Sequence, residues 1–310
     1  MNGTAISDPA IDYSPVIKTA QSLRVAFQGE RGAFSEEAAR ALLGEAIELV
    51  PRASFESLFC AIDEGVADVA LAPMENSLAG SVYKSYDLLL TSDLSITSEI
   101  VIRIQQCLIG CPGADLASIC VVESHPVALA QCERFFTAHP EIKREASDDT
   151  AASVRRVVER GDPTRAAIAG KNAALLYGGN ILGEHIEDRR ENYTRFALLA
   201  PASAKARQAI ELAAHLPPRA ADKLSLAFRL ASCPNALHSA LEPFARRGLD
   251  LLKIECRPII GQPWQYRFYL DLRVSTDEEE VACALSELRA RADEVRLLGC
   301  YASALNLEKV

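Results

Sequence analysis

The chain has 310 residues, enough for two or three domains with cores of their own. Hydrophobic residues make up 49% and charged residues 24%, ordinary usage for a globular protein, and a net charge of −9 with no basic run argues against nucleic acid as a partner. The nine cysteines form no CxxC pair and no Cys/His cluster, which argues against a metal site, and their odd number and scatter fit free thiols in a reducing cytoplasm.

Residues 1–22 lack a basic segment followed by an apolar one and read as a flexible leader. No run of about 18 apolar residues occurs, so no membrane span is predicted. The first strand is Leu23 to Phe27, followed by the loop Gln28-Gly29-Glu30-Arg31-Gly32-Ala33-Phe34-Ser35 and a helix from Glu36 to Leu43 that stops at Gly44. Ser35 is a candidate N-cap, with Glu36 and Glu37 on the first-turn dipole. The two glycines do not complete GxGxxG, so the loop is no nucleotide signature. Next come a helix from Ser54 to Glu64, a strand from Ala67 to Ala72, and a loop opened by Pro73 that carries Met74-Glu75-Asn76-Ser77. In open α/β sheets, ligands sit at the carboxyl ends of strands, which makes that loop a candidate site.

Leu94 to Ile104 reads as a strand, as does Ile119 to Val122, which ends at Glu123-Ser124-His125-Pro126. Pro126 suits the first position of a helix capped by Ser124 or His125. A strand from Ile142 to Ala146 leads to Asp148-Asp149-Thr150, where Asp149 or Thr150 caps a helix from Ala151 to Arg160 closed by Gly161. Arg165 to Gly170 and Lys171 to Tyr177 repeat strand and helix. This alternation predicts an α/β region with largely parallel sheets over residues 23–200, whose helix N-termini converge on a cleft.

Glu191-Asn192-Tyr193-Thr194-Arg195-Phe196 opens the next apolar run, Ala197 to Ala200. On a regular strand, Asn192, Thr194 and Phe196 share one face while Tyr193 and Arg195 share the other. A strand that bends or ends here would send Thr194 and Arg195 into one cleft, and a plain edge strand would leave the arginine solvated. Residues 201–221, rich in alanine and proline, read as a linker. Beyond it, strands at Lys223–Leu230, Leu249–Ile254, Tyr266–Val274 and Val295–Leu298 and helices at Ala236–Gly248 and Asp277–Ala292 give the order βαββαβ, a ferredoxin-like arrangement.

Taken together, Gln28-Gly29, Gly32-Ala33-Phe34-Ser35, Pro73-Met74-Glu75-Asn76-Ser77, Ser124-His125-Pro126, Asp149-Thr150-Ala151-Ala152-Ser153 and Asn192-Tyr193-Thr194-Arg195-Phe196 resemble, in type and order, the motifs of monofunctional prephenate dehydratases. Pro234-Asn235-Ala236-Leu237 and Glu255-Cys256-Arg257-Pro258 are similar to the two motifs of the ACT domain that follows in that family. The resemblance implies a catalytic domain over 23–200, with two lobes built like a periplasmic binding protein and the site in their cleft, and an ACT regulatory domain over 222–306. Some family members carry a helical chorismate mutase unit in front, which about 22 residues cannot form, so no mutase activity is expected.

The implied reaction removes CO2 and water from prephenate to give phenylpyruvate in phenylalanine biosynthesis and requires no cofactor and no metal. The resemblance implies Thr194 as the donor to the departing hydroxyl, Arg195 as a cation for a carboxylate, and Asn76, Ser77, Ser124, Thr150, Asn192 and Phe196 around the substrate. Gln28, Gly29, Gly32, Ser35 and Glu75 form supporting loops, and Glu75 either fixes its loop or shares a proton. L-Phenylalanine is the implied effector, bound by Asn235, Ala236, Leu237, Glu255, Cys256 and Arg257, although asparagine stands at 235 where glycine is usual and cysteine at 256 where serine is usual. Pairing of ACT domains implies a homodimer or homotetramer. Arogenate dehydratase, acting on the amino analogue, and a non-catalytic amino-acid sensor are the alternatives.

Overall fold

A computed structural model describes residues 22–202, 220–274 and 278–304. The predicted leader and most of the predicted linker fall outside the described residues. No helix among the described residues is long and apolar enough to cross a membrane.

Lobe one contains β1 (Leu23–Gln28), α1 (Phe34–Leu43), β2 (Ile47–Arg52), α2 (Phe55–Asp63), β3 (Val69–Asn76), β4 (Gly80–Ser81), α3 (Tyr83–Thr91) and β5 (Leu94–Arg103). The chain then crosses to lobe two, with β6 (Cys107–Gly110), β7 (Val121–Ser124), α4 (Pro126–Ala130), α5 (Glu133–Ala138), β8 (Lys143–Ala146), α6 (Thr150–Arg160), β9 (Arg165–Ala169), α7 (Lys171–Tyr177) and β10 (Asn180–Gly183). It returns through β11 (Tyr193–Pro201) to the middle of the first sheet, whose order is β2-β1-β3-β11-β5 with β4 paired to β3. Lobe two has its own sheet in the order β10-β6-β9-β7-β8. Two crossings thus join two lobes, and the cleft lies between them.

The sheets are mixed, which corrects the expectation of largely parallel ones. β1 runs parallel to β2 and β3, but β11 is antiparallel to both β3 and β5. The cause is the double crossing: the chain leaves lobe one at Arg103 and re-enters opposite that residue at Tyr193, so the outgoing and returning strands lie side by side in opposite directions.

Several local expectations hold because their chemistry is local. Asp149 caps α6 by accepting from the Ala152 amide, and left-handed Gly161 ends that helix. Ser54, read as the first helical residue, instead caps α2 in a reciprocal pair with Ser57. His125, not Ser124, caps α4 ahead of Pro126. Ser35 does not cap α1: Ala33 holds that position without a side-chain bond, and Glu36 reaches back to the Gly32 amide at 2.9 Å. Nor does Pro73 end β3, which runs on to Asn76. A register shift between Arg195 and Phe196 of β11 lies opposite the proline, where its missing N–H is tolerated.

The C-terminal unit has the expected order, with β12 (Lys223–Arg229), α8 (Ala236–Arg246), β13 (Asp250–Pro258), β14 (Tyr266–Arg273), α9 (Glu278–Arg291) and β15 (Glu294–Tyr301) in the sheet order β13-β14-β12-β15, antiparallel throughout. One face, with Leu226, Phe228 and Leu270, packs on Phe244 and Leu288 of its helices. Ala227, Tyr269, Leu298 and Tyr301 on the opposite face enter one buried cluster with Tyr86, Leu94, Ile96, Ala197 and Leu199 of lobe one. The unit therefore shares a core with the lobe that carries β11 and does not stand as a free appendage.

Candidate active site

A cleft of about 400 Å³ opens between the lobes, a volume suited to a small metabolite. Lobe one lines it with Gln28, Phe34, Ser35, Phe55, Asn76, Thr194 and Phe196, and lobe two with His125, Gln131, Asp148, Asp149 and Thr150. The seam beside it depends on glycine. A side chain at Gly29, whose φ is +109°, would meet an oxygen of Asp149 at 2.8 Å, and one at Gly32, with φ of +84°, would meet the backbone of Ala173 at 2.9 Å. Across the same seam Arg155 pairs with Glu30 at 2.8 Å.

Strand alternation decides the Thr194 region. Thr194 and Phe196 face the cleft, and Arg195 faces the other way. Thr194 is held in a set of amides whose orientation follows from fixed donors. The backbone amides of Leu78 and Ala79 donate to Asn76 Oδ1 at 3.0 and 2.8 Å, so this atom is the oxygen. Asn76 Nδ2 therefore donates, to Thr194 Oγ1 at 2.9 Å and to Asn192 Oδ1 at 2.8 Å. Asn192 Nδ2 donates in turn to Gln131 Oε1 at 2.9 Å, and Gln131 Nε2 returns to Asn76 Oδ1 at 3.3 Å. The acceptor side of the Thr194 hydroxyl is thus occupied, and no acceptor for its proton lies among the described residues.

Four of the predicted substrate contacts are corrected. Ser124 is fully buried and donates to the Ile168 carbonyl at 2.6 Å, which ties β7 to β9. Ser77 donates to the Glu191 carbonyl and accepts from the Tyr193 amide, and so joins the end of β3 to β11. Asn192, also fully buried, stands behind Thr194 as part of the amide set and does not line the cleft. Arg195 lies 3.1 Å from Glu99, 3.4 Å from Glu75 and 3.4 Å from Asp271, and it donates to Tyr86 at 2.9 Å. Burial opposes its charge, but Tyr86, Asp271, Tyr301 and Glu99 outweigh that and raise its pKa well above the ordinary value. Arg195 is not among the residues that line the cleft.

The same network places Glu75 outside the cleft. Lys253 of β13 contacts Glu75 at 2.9 Å and Glu255 at 3.3 Å, while Lys223 of β12 contacts Glu99 at 3.0 Å. Glu255 also bonds Ser81, and Arg257 pairs with Asp87 at 2.7 Å over the ring of Tyr83. Glu255 and Arg257 are therefore turned toward lobe one, and Cys256 on the alternate face is exposed. Asn235 adopts a left-handed conformation, φ +63°, at the cap of α8, followed by Ala236 and by Leu237, which packs on the C-terminal core.

Sequence reasoning missed Gln131 and Gln106. Gln131 follows a helix of five residues, and Gln106 lies in the connector between the lobes, so neither carried a motif or cap signal. His125 was visible only as a cap, which it is: Nδ1 accepts from the Val127 amide at 3.2 Å, so the neutral ring carries its proton on Nε2.

The family model for prephenate dehydratase matches residues 25–204. Arogenate dehydratase/prephenate dehydratase 2 of Arabidopsis thaliana is 37% identical over 295 residues, 92% of this chain and 74% of the plant protein. A prephenate dehydratase from Arthrobacter aurescens, solved in complex with L-Phe, superposes with a TM-score of 0.78 at 32% identity over 90% of each chain. A structure described as GqqA, a quorum-quenching acylase, superposes with a TM-score of 0.79 at 31% identity over 92% of this chain and 100% of that one.

Proposed function

The chain belongs to the prephenate dehydratase family, and we propose that its interlobe cleft binds prephenate and that the Thr194 hydroxyl donates a hydrogen bond to the departing ring hydroxyl. The observation that carries this reading is the place of Thr194: it lines the cleft and accepts from Asn76, which leaves its proton free for an acceptor in the cleft. As the bond to the ring carboxylate breaks, its electron pair enters the ring, the C–O bond of the hydroxyl breaks, and the oxygen leaves as water after taking a proton supplied through solvent. CO2 and phenylpyruvate are the other products. Donation to the oxygen where negative charge develops is the task of a preorganised dipole.

With Arg195 turned away, neutral donors hold the substrate carboxylates. The first amides of α1 have no side-chain cap, Ser35 beside them is 7% exposed, and both this serine and Thr150 line the cleft. The Nε2–H of His125 adds a further donor. Phe34, Phe55 and Phe196 supply an apolar surface for the ring and shed water from the carboxylate that leaves as CO2.

The C-terminal unit is assigned as an ACT domain that binds L-phenylalanine at Asn235, Ala236 and Leu237, with Glu255, Cys256 and Arg257 contributed by β13. Its likeness in sequence to ACT motifs and the Arthrobacter relative solved with L-Phe support this assignment. Contacts of Lys253 with Glu75 and of Glu75 with Arg195 offer a route from β13 to the residue next to Thr194. Pairing through this unit gives a homodimer or homotetramer, working in the cytoplasm.

The test is absorbance of the aromatic product after mixing the full chain with prephenate, with and without phenylalanine. Turnover that Thr194→Val lowers by about 10²-fold or more supports the assignment. Hydrolysis of an acylated amide substrate without prephenate turnover would instead favour the reaction of the acylase relative.

A further inference from the structure

The cleft is flanked by a second meeting of the lobes that the reaction above does not use. The connectors join lobe one at β5 and β11, while β1, with β3 between it and β11, ends in the loop 28–35. That loop packs on α6 and α7 of lobe two. Arg155 of α6 grips Glu30 with two bonds of 2.8 Å, the Tyr177 hydroxyl of α7 donates to the Arg31 carbonyl at 2.9 Å, and Asn172 donates to Glu37 of α1 at 3.1 Å. The spacing of Gly29 and Gly32 has its use here: bare backbone at both positions lets Asp149 and Ala173 approach. Phe34 in turn lies so close to Gly170 that a side chain there would meet its ring at 2.9 Å.

Two properties suit this seam to parting and closing again. Its ion pair is solvated: the side chains of Arg155 and Glu30 are 36% and 38% exposed, and such pairs contribute little singly. Its apolar contacts come mainly from small residues, with Ala33 entering a buried cluster beside Ala151 and Ala173, whereas tyrosines and leucines join the C-terminal unit to lobe one.

The two sides of the seam also carry opposite walls of the cleft. Glu30 shares its loop with Phe34 and Ser35, and Arg155 shares α6 with Thr150; these partners line the cleft, while Glu30 and Arg155 do not. We propose that Glu30 and Arg155 are positioning residues: their ion pair clasps the lobes on the side away from the connectors and sets the separation at which Ser35 and Thr150 hold one substrate together. This rests on the dehydratase reading of the same cleft. Apparent affinity scales with the fraction of molecules in the clasped form, so a lost pair raises KM and leaves the chemistry of bound substrate alone.

The experiment measures kcat and KM for prephenate with the full chain, with Arg155→Met, with Glu30→Gln, and with the exchanged pair Glu30→Arg and Arg155→Glu, each at low and high salt. Either single substitution is expected to raise KM by about threefold to fivefold with kcat within about twofold of the parent, the scale of one partly solvated ion pair. The exchanged pair restores the attraction with its charges reversed and is expected to bring KM back to within about twofold. At high salt the gap between the parent and the single variants narrows, because the pair is screened. A merely structural pair would leave KM untouched, and urea titration checks that every variant is folded. Unchanged KM in both single variants, an exchanged pair no better than either, or a loss confined to kcat overturns the positioning role and leaves the dehydratase reading intact. No turnover of prephenate by the parent overturns both.

Discussion

Toward the cleft, β11 presents Thr194 within neutral amides and hydroxyls; toward the C-terminal unit, the next residue, Arg195, enters a buried set of carboxylates and ammonium groups. The two faces of one strand thus divide two tasks. Neutral dipoles fixed by the backbone can point at developing charge without holding a net charge of their own in the cleft. A full positive charge in the cleft would stabilise the departing carboxylate before its charge moves into the ring, and here the full charges lie behind the sheet, where they tie the C-terminal unit to lobe one. Because Thr194 and Arg195 are adjacent, a displacement of the charged face would reach the cleft face through a single peptide unit.

Removing the arginine head group is expected to have the largest effect on the comparison. Arg195→Met leaves Glu75, Glu99 and Asp271 with less compensating charge in a buried site, and the expected loss is about 3–5 kcal/mol of unfolding free energy, read from urea titration. A loss below about 1 kcal/mol would show that the apolar contacts of Tyr269 and Tyr301, not the ion network, hold the two units together. On the cleft face, Thr194→Val removes the hydroxyl at nearly constant volume, while Asn76 Nδ2 keeps Asn192 and the Tyr193 carbonyl as acceptors. Its expected cost is about 10²–10³-fold in kcat, roughly 2.7–4 kcal/mol in the barrier, with little change in unfolding free energy. Activity within about threefold of the parent would remove Thr194 from the chemistry.

The division between the faces was partly legible in the sequence. Alternation from Asn192 to Phe196 separates Thr194 from Arg195 on any regular strand, and that reading holds. What the sequence left open was which face meets the cleft, because the answer depends on the C-terminal unit covering the back of the sheet more than 20 residues later. The cap at Asp149 and the stop at Gly161 were readable because their signals lie within a few residues of the structure they specify, and the order of the last unit followed from its strand and helix patterns. Strand β2 was not expected, since Pro51 interrupts its pattern and only its place at the sheet edge admits a proline. Ser124 was grouped with substrate donors by its motif, and only the fold reveals that the Ile168 carbonyl takes its hydroxyl.

A smaller effect separates the faces by pH. Burial first, with the nearby charge of Glu30, raises the pKa of Asp149 in the cleft wall above the ordinary value of 3.8, and backbone amides of Ala152, Ala151 and Glu30 counter only part of it. A carboxyl with a raised folded-state pKa binds more protons in the folded chain, so its stabilising contribution is complete below its unfolded pKa and is lost as pH rises through the folded one. Asp149→Asn keeps an N-cap and removes the titration. Thermal midpoints followed upward from about pH 4 are expected to fall less steeply in the variant than in the parent. Parallel curves would mean that Asp149 carries no such linkage.

The smallest expected effect lies at the rim of the charged face. Asp87 is 43% exposed and pairs with Arg257 at 2.7 Å, yet Arg257 also rests on the Tyr83 ring at 4.1 Å and keeps that contact when the carboxylate is neutralised. Asp87→Asn is expected to cost less than about 1 kcal/mol, and less still at high salt, because a solvated ion pair gains little over its separated partners. Combined with Arg195→Met, the losses should add within about 0.5 kcal/mol, since the two pairs share no partner. A loss from Asp87→Asn of about 3 kcal/mol or more would move the docking energy from the buried cluster to the rim. The effector motif residue Arg257 would then join the groups that hold lobe one in register, and signalling from β13 would run through α3 instead of through Glu75 and Arg195.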